Sequence, residues 1–124
     1  MKKFRRTFLK DEIISFSPKK SSVVERYFDK PRFSFENEFY LYIDHGTPPV
    51  PQNLTVTFIY LDKNYDEFAV KRSFSLQERQ YGQTGKIEKR IKVSIQKDGK
   101  ELHKILFENT PLMKSSVYVS TSEL

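Results

Sequence analysis

Few side chains in this 124-residue sequence stand where chemistry would need them. It has two histidines, His45 and His103, and no cysteine. His45 follows Asp44 and precedes Gly46-Thr47-Pro48-Pro49-Val50-Pro51, so an adjacent acid could orient its imidazole as a base or ligand. No second histidine lies at metal-ligand spacing, and Glu36 and Glu38 project from a predicted strand. His45 therefore reads as a solvated or capping loop residue. His103 falls on a predicted strand with Ser94 across from it and reads as structural. Asp98-Gly99-Lys100 has the acid-x-Lys spacing of many nucleases, but Asp-Gly is what a tight hairpin turn requires. Gly82-Gln83-Thr84-Gly85-Lys86 ends like a phosphate loop, yet its spacing is wrong and a strand follows, so no helix dipole would face a phosphate. No Gly-x-Ser-x-Gly occurs. The chain is predicted to be non-enzymatic, with no catalytic residue, no metal ligand and no cofactor.

What remains is charge and rings. Lys and Arg number 22 against 16 Asp and Glu, a net charge of +6, and 18 residues are Phe or Tyr. Residues 1–32 carry +6, residues 33–69 carry −5, residues 70–104 carry +6 and residues 105–124 carry −1. Two basic blocks thus flank an acidic one, and an electric dipole with a basic side follows if they lie on different faces. The nucleic-acid-binding set predicted from the blocks is Lys2, Lys3, Arg5, Arg6, Lys71, Arg72, Arg79, Tyr81, Lys86, Lys89, Arg90 and Lys92. Phosphates would meet the cations, and bases would stack on rings such as Phe4, Phe8 and Tyr81. The competing account is plain: a lysine-rich solvated strand face, with Phe4 and Phe8 packed on the core. Glu36 and Glu38 would then neutralise a neighbouring basic strand.

The elements that would hold these groups are mainly strands. From Phe33 the odd positions Phe35, Asn37, Phe39, Leu41 and Ile43 alternate with Ser34, Glu36, Glu38, Tyr40, Tyr42 and Asp44. This is a long strand with one apolar face, or two strands broken near Asn37. Three prolines and a glycine make Asp44 to Asn53 a loop. Leu54, Val56, Phe58 and Tyr60 share a face of the next strand. Asp62 to Asp66 is a hairpin loop. Phe68, Val70, Phe74 and Leu76 share the following face, with Arg72 the exception. Gln77 to Gly85 is a loop. Ile87 to Ile95 forms a hairpin across Asp98-Gly99, a favoured type I′ pair. A two-residue turn would set Ile95 against Leu102 and Ile91 against Leu106. It would also set Lys104 against Val93, which leaves the register open. Val117 and Val119 suggest a short last strand, and Ile13, Ile14 and Phe16 another before Pro18. Ser22-Val23-Val24-Glu25 fits a capping box and a two-turn helix to Asp29, while its adjacent valines suit a strand equally.

The reading is one mostly-β domain over residues 1–124, with at most one or two short helices and residues 1–10 as a basic aromatic arm. A small barrel and a two-layer sandwich both fit. The barrel is favoured because long one-faced strands close readily and closure removes exposed edges. Phe35, Phe39, Leu41, Val56, Phe58, Phe68, Val70, Ile91 and Val93 are expected to face inward. No apolar run reaches the roughly 20 residues of a membrane span, and Lys10-Asp11-Glu12 interrupts any signal-like start. A cytoplasmic protein without a membrane partner is expected.

The length, the opening Lys2-Lys3-Phe4-Arg5-Arg6-Thr7-Phe8, the missing cysteine and the basic stretch from Lys71 to Lys92 resemble small PUA-like RNA-binding regulators of Gram-positive conjugative plasmids. That resemblance implies a PUA-like pseudobarrel that binds RNA and restrains production of conjugation or surface-adhesion proteins. Many PUA domains carry a glycine-rich turn after their first helix, whereas residues 1–45 here contain no glycine. The expected function is single-stranded RNA binding. The alternative is a structural or protein-binding β-sandwich of a phage or mobile element, assembling as homo-oligomers through complementary charged surfaces.

Overall fold

A computed structural model describes residues 6–18, 22–30, 37–45, 52–76, 88–109 and 114–123. They form nine strands: β1 (Glu12–Phe16), β2 (Ser22–Tyr27), β3 (Glu38–His45), β4 (Gln52–Leu61), β5 (Glu67–Leu76), β6 (Glu88–Ser94), β7 (Gln96–Lys97), β8 (Lys100–Asn109) and β9 (Ser115–Glu123). No helix occurs among the described residues. The Ser22 segment takes the strand alternative. Its Val23 and Val24 are β-branched, and the ladder to β8 from Ser22↔Asn109 to Tyr27↔Lys104 supplies tertiary pairing that a two-turn helix lacks.

Two antiparallel sheets result. Sheet I runs β1-β9-β3-β6, and sheet II runs β2-β8-β4-β5 with β7 also on β8. The fold is the sandwich alternative rather than the favoured barrel. Each sheet buries its apolar phase against the other: Ile14, Phe16, Phe39, Leu41, Ile43, Ile91, Val93, Val117 and Val119 from sheet I, and Leu54, Val56, Phe58, Tyr60, Leu102, Ile105 and Phe107 from sheet II. Phe28 lies parallel to Phe39 in this core with ring centroids 5.5 Å apart. Along one side, Arg26 of β2 donates from Nε and Nη2 to the Glu12 carboxylate of β1 at 2.8 and 3.2 Å. Elsewhere the Tyr60 hydroxyl donates to the Ser94 carbonyl at 2.7 Å, joining β4 to β6.

The Asp98-Gly99 turn forms as predicted, with φ of 51° and 76°. Its hairpin is short. Gln96↔Glu101 and Lys97↔Lys100 pair, and Leu102 N–H donates to the Ile95 carbonyl at 2.7 Å. Ile95 N–H donates instead to Asn37 at 2.7 Å, beside β3. The chain therefore changes sheets at Ser94–Ile95, and Ile91 pairs Leu41 rather than Leu106. That removes the conflict of Lys104 against Val93.

Most of the expected core is buried. Phe39, Leu41, Val56, Phe58, Ile91 and Val93 are, and Val70 packs against the cluster half-buried. Phe68 is a correction: it is 43% exposed near the end of edge strand β5, with the Lys100 ammonium 4.2 Å from its ring centre. Phe35 lies outside the described residues. The last strand is longer than expected, nine residues. The described part of the arm is not loose. Tyr27 N–H donates to Thr7, Leu9 N–H donates to Tyr27, and Leu9 is fully buried.

Candidate nucleic-acid interface

The inward phase of sheet I fixes its outward phase, since strand side chains alternate. Phe39, Leu41 and Ile43 point in, so Tyr40, Tyr42 and Asp44 point out. Ile91 and Val93 point in, so Arg90 and Lys92 point out. Val117 and Val119 point in, so Ser116, Tyr118, Ser120 and Ser122 point out. The ladders align these side chains in rows across neighbouring strands: Lys92–Tyr40–Ser122, then Arg90–Tyr42–Ser120, with Asp44 and Tyr118 paired beyond them.

The exposed Arg90 guanidinium carbon sits 4.7 Å from the centre of the half-buried Tyr40 ring, a cation–π contact on the outer face. Tyr40 and Tyr42 have ring centroids 6.0 Å apart, tilted by 54°. Lys92 Nζ lies 3.0 Å from Glu38 Oε2, which raises the pKa of Lys92 above the usual lysine value. The expectation that Glu38 neutralises a basic neighbour holds in this pair. Tyr118 and Ile13, paired across β9 and β1, are 42% and 59% exposed and extend the apolar part of the face.

The remaining predicted cations do not join this face. Lys89 pairs Ile43 on the inward phase of edge strand β6 and is half-buried. Lys71 is exposed on the outer face of sheet II, opposite Thr57. Arg72 opposes Val56 on the inward phase of edge strand β5, where it stays exposed. Lys2, Lys3, Arg5, Arg79, Tyr81 and Lys86 lie outside the described residues. Arg90 and Lys92 are thus brought together, whereas Arg6 and Lys71 stand on the other sheet.

Arg6 belongs to a second cluster, built by a β-bulge. The β4–β8 register slips between Ile59↔Lys104 and Tyr60↔Leu102, leaving His103 as the extra residue. His103 and Lys104 therefore both face outward. Predicted opposite Ser94, His103 instead meets the Tyr27 ring edge-on at 5.1 Å. The Arg6 guanidinium lies 4.8 Å from that ring, and Phe8 packs on it at 6.4 Å. Lys104 Nζ reaches Glu25 at 3.3 Å and Glu67 at 3.9 Å. The Tyr27 hydroxyl and then Lys104 hold the Glu25 carboxyl below its ordinary range, and Glu25 in turn pushes the Tyr27 hydroxyl up. Burial, with Arg6 and Lys104 nearby, holds His103 below the usual histidine value. The carboxylates offset the cations here, so the cluster clamps the arm to β2 rather than presenting charge.

A cleft of about 550 Å³ between the β4–β5 and β7–β8 turns is lined by Asn37, Asp62, Lys63, Lys97, Asp98 and Glu101, with charges of both signs. Among the described residues no group of three or more His, Asp or Glu could hold a metal ion, and no helix is long and apolar enough to cross a membrane. The backbone places His45 at the last position of β3 rather than in a loop, paired with Val117.

Sequence reasoning missed Tyr40, Tyr42, Tyr118 and Ser120 as site residues. The signal was present: Tyr40 and Tyr42 occupy the polar phase of the alternation, where a ring is not needed for the core. No protein-family model and no curated protein matches the chain. Among solved structures it is similar to a "Family 16 Carbohydrate Binding Module-2", with a TM-score of 0.48 and 12% identity over 88% of this chain and 74% of that one.

Proposed function

We propose that the protein binds single-stranded RNA across the outer face of sheet I, without catalysis. The observation that carries this reading is the exposed Arg90 guanidinium lying over Tyr40 beside Tyr42, both rings half-buried on the outer face of sheet I. Rings and guanidinium planes are the platforms on which unstacked bases sit, and cations beside them take the phosphates. The ring spacing of 6.0 Å exceeds the rise of about 3.4 Å per nucleotide in a stacked strand. Bases seated on Tyr42 and on the guanidinium plane over Tyr40 are therefore held apart, which suits a single strand and not a duplex. Asp44 at the far end of β3 repels phosphate, so the backbone runs over the Arg90–Lys92 end. Occlusion of a transcript by such a face is the action of an RNA-binding regulator.

The test is filter binding of labelled single-stranded RNA to the wild type and Tyr42→Ala. Tyr42 points away from the core, so its loss should leave the fold intact by circular dichroism. Loss of one stacked base costs about 1–3 kcal/mol, a drop of at least about fivefold in affinity. No retention at about 50 mM salt, or displacement of RNA by neutral oligosaccharide alone, overturns the reading. A mass above the monomer by light scattering that falls on Arg90→Ala would instead support assembly.

A further inference from the structure

The face of sheet I repeats a unit. Across each of two rows the strands β6, β3 and β9 present, in the same order, a cation, a tyrosine and a serine: Lys92–Tyr40–Ser122 and Arg90–Tyr42–Ser120. A nucleotide has a matching order of parts, with phosphate at one end, ribose next and the base with its hydrogen-bonding edge at the other. We propose that each row seats one nucleotide, phosphate toward β6 and base edge toward β9, and that Ser120 reads the base edge and selects pyrimidines. This rests on the RNA-binding reading of the same face.

Three features carry it. First, adjacent strands are about 4.8 Å apart, so the three lanes span only about 10 Å. A pyrimidine's single ring, stacked on Tyr42, brings its Watson–Crick edge to the neighbouring strand while its phosphate stays at the cation lane. A purine's two fused rings overrun that width. Second, a serine hydroxyl both donates and accepts, so Ser120 can meet the N3 and the adjacent exocyclic group of a pyrimidine. Third, the lane cannot be used in reverse. Phosphate over β9 would meet the Asp11 carboxylate, which accepts from Thr121 N–H at 3.2 Å next to Ser120 and repels an anion there.

The experiment compares four labelled homopolymeric RNA oligonucleotides of equal length, of U, C, A and G, on the wild type, Ser120→Ala and Ser120→Thr. One hydrogen bond to the base edge gives the wild type a preference for U and C over A and G of about three- to tenfold. Ser120→Ala should abolish that preference by weakening U and C alone. Ser120→Thr keeps the hydroxyl and should keep the preference. Equal binding of all four by the wild type, or a preference unchanged in Ser120→Ala, overturns base reading by Ser120. If Tyr42→Ala still weakens all four alike in that case, the RNA face stands without it. Retention of none of the four removes both.

Discussion

The two sheets carry their cations on opposite outer faces, and salt separates them. Arg90 and Lys92 stand together on sheet I, and Arg6 stands on Tyr27 of sheet II. Each phosphate contact on a single strand contributes about −0.7 to the slope of log affinity against log salt. Two contacts give the wild type a slope of about −1.4. Arg90→Ala should reduce it to about −0.7. It should also lower affinity at every salt concentration, because the plane stacked on Tyr40 goes with it. Arg6→Ala should leave the slope at its wild-type value. The four to six contacts suggested by the basic blocks alone would give about −3 to −4. Filter binding between about 50 and 200 mM salt measures all three proteins. A wild-type slope of −3 or steeper, or equal flattening by Arg6→Ala and Arg90→Ala, would show that RNA wraps both sheets and would refute confinement to one face.

Other outcomes follow from the packing and the bulge. Phe107 is fully buried between the sheets, so Phe107→Ala should cost about 3–5 kcal/mol, read from the midpoint of chemical denaturation. Gly99 has φ of +76° with open space where a Cβ would stand, so Gly99→Ala should cost only backbone strain, about 1–2 kcal/mol. His103, facing Tyr27, Arg6, Lys104, Glu25 and Glu67, is held below the usual histidine pKa. Its contribution to stability is whole above the unfolded value of about 6.5 and is lost as pH falls from there toward the folded pKa. His103→Gln should flatten denaturation midpoints across that window. Glu25 has a depressed pKa, so its contribution is present above the unfolded value of about 4.3 and is lost as pH falls through the folded one. Glu25→Gln should make acid denaturation shallower below that point.

Local pattern reached far in some elements and failed in others for identifiable reasons. β3, β4 and β5 were legible because a half-buried strand writes its burial into every second residue, as in Leu54, Val56, Phe58 and Tyr60. The Asp98-Gly99 turn was legible because only a short list of residues takes positive φ. The partner of β6 was not, because Ile91 and Val93 would be equally content against either sheet, and Ile95 alone marks the crossing. The bulge at His103 was not, because one extra residue changes the phase of β8 without any signal in composition. For the site, Arg90 and Lys92 were found through charge. Tyr40 and Tyr42 were seen as outward residues but not valued, since segment charge weighs only ions. The acidic and basic blocks turned out to be neighbouring strands that partly cancel, as Lys92 and Glu38 do.

The pairing of β1 with β9 has a consequence for how the molecule is made. Ile14 lies beside Val117, and Glu12 beside Val119, so among the described residues the first strand takes its ladder from the last. β2 likewise waits for β8, from Ser22↔Asn109 onward. During synthesis the early strands emerge with their edges bare and cannot complete either sheet until β8 and β9 arrive. Such distant pairings demand loop closure before any reward, which places folding in the slow range of about milliseconds to seconds typical of sandwiches. In that interval Val23 and Val24 form an open, β-prone edge, and the neighbouring Glu25 and Arg26 discourage it from pairing with another chain.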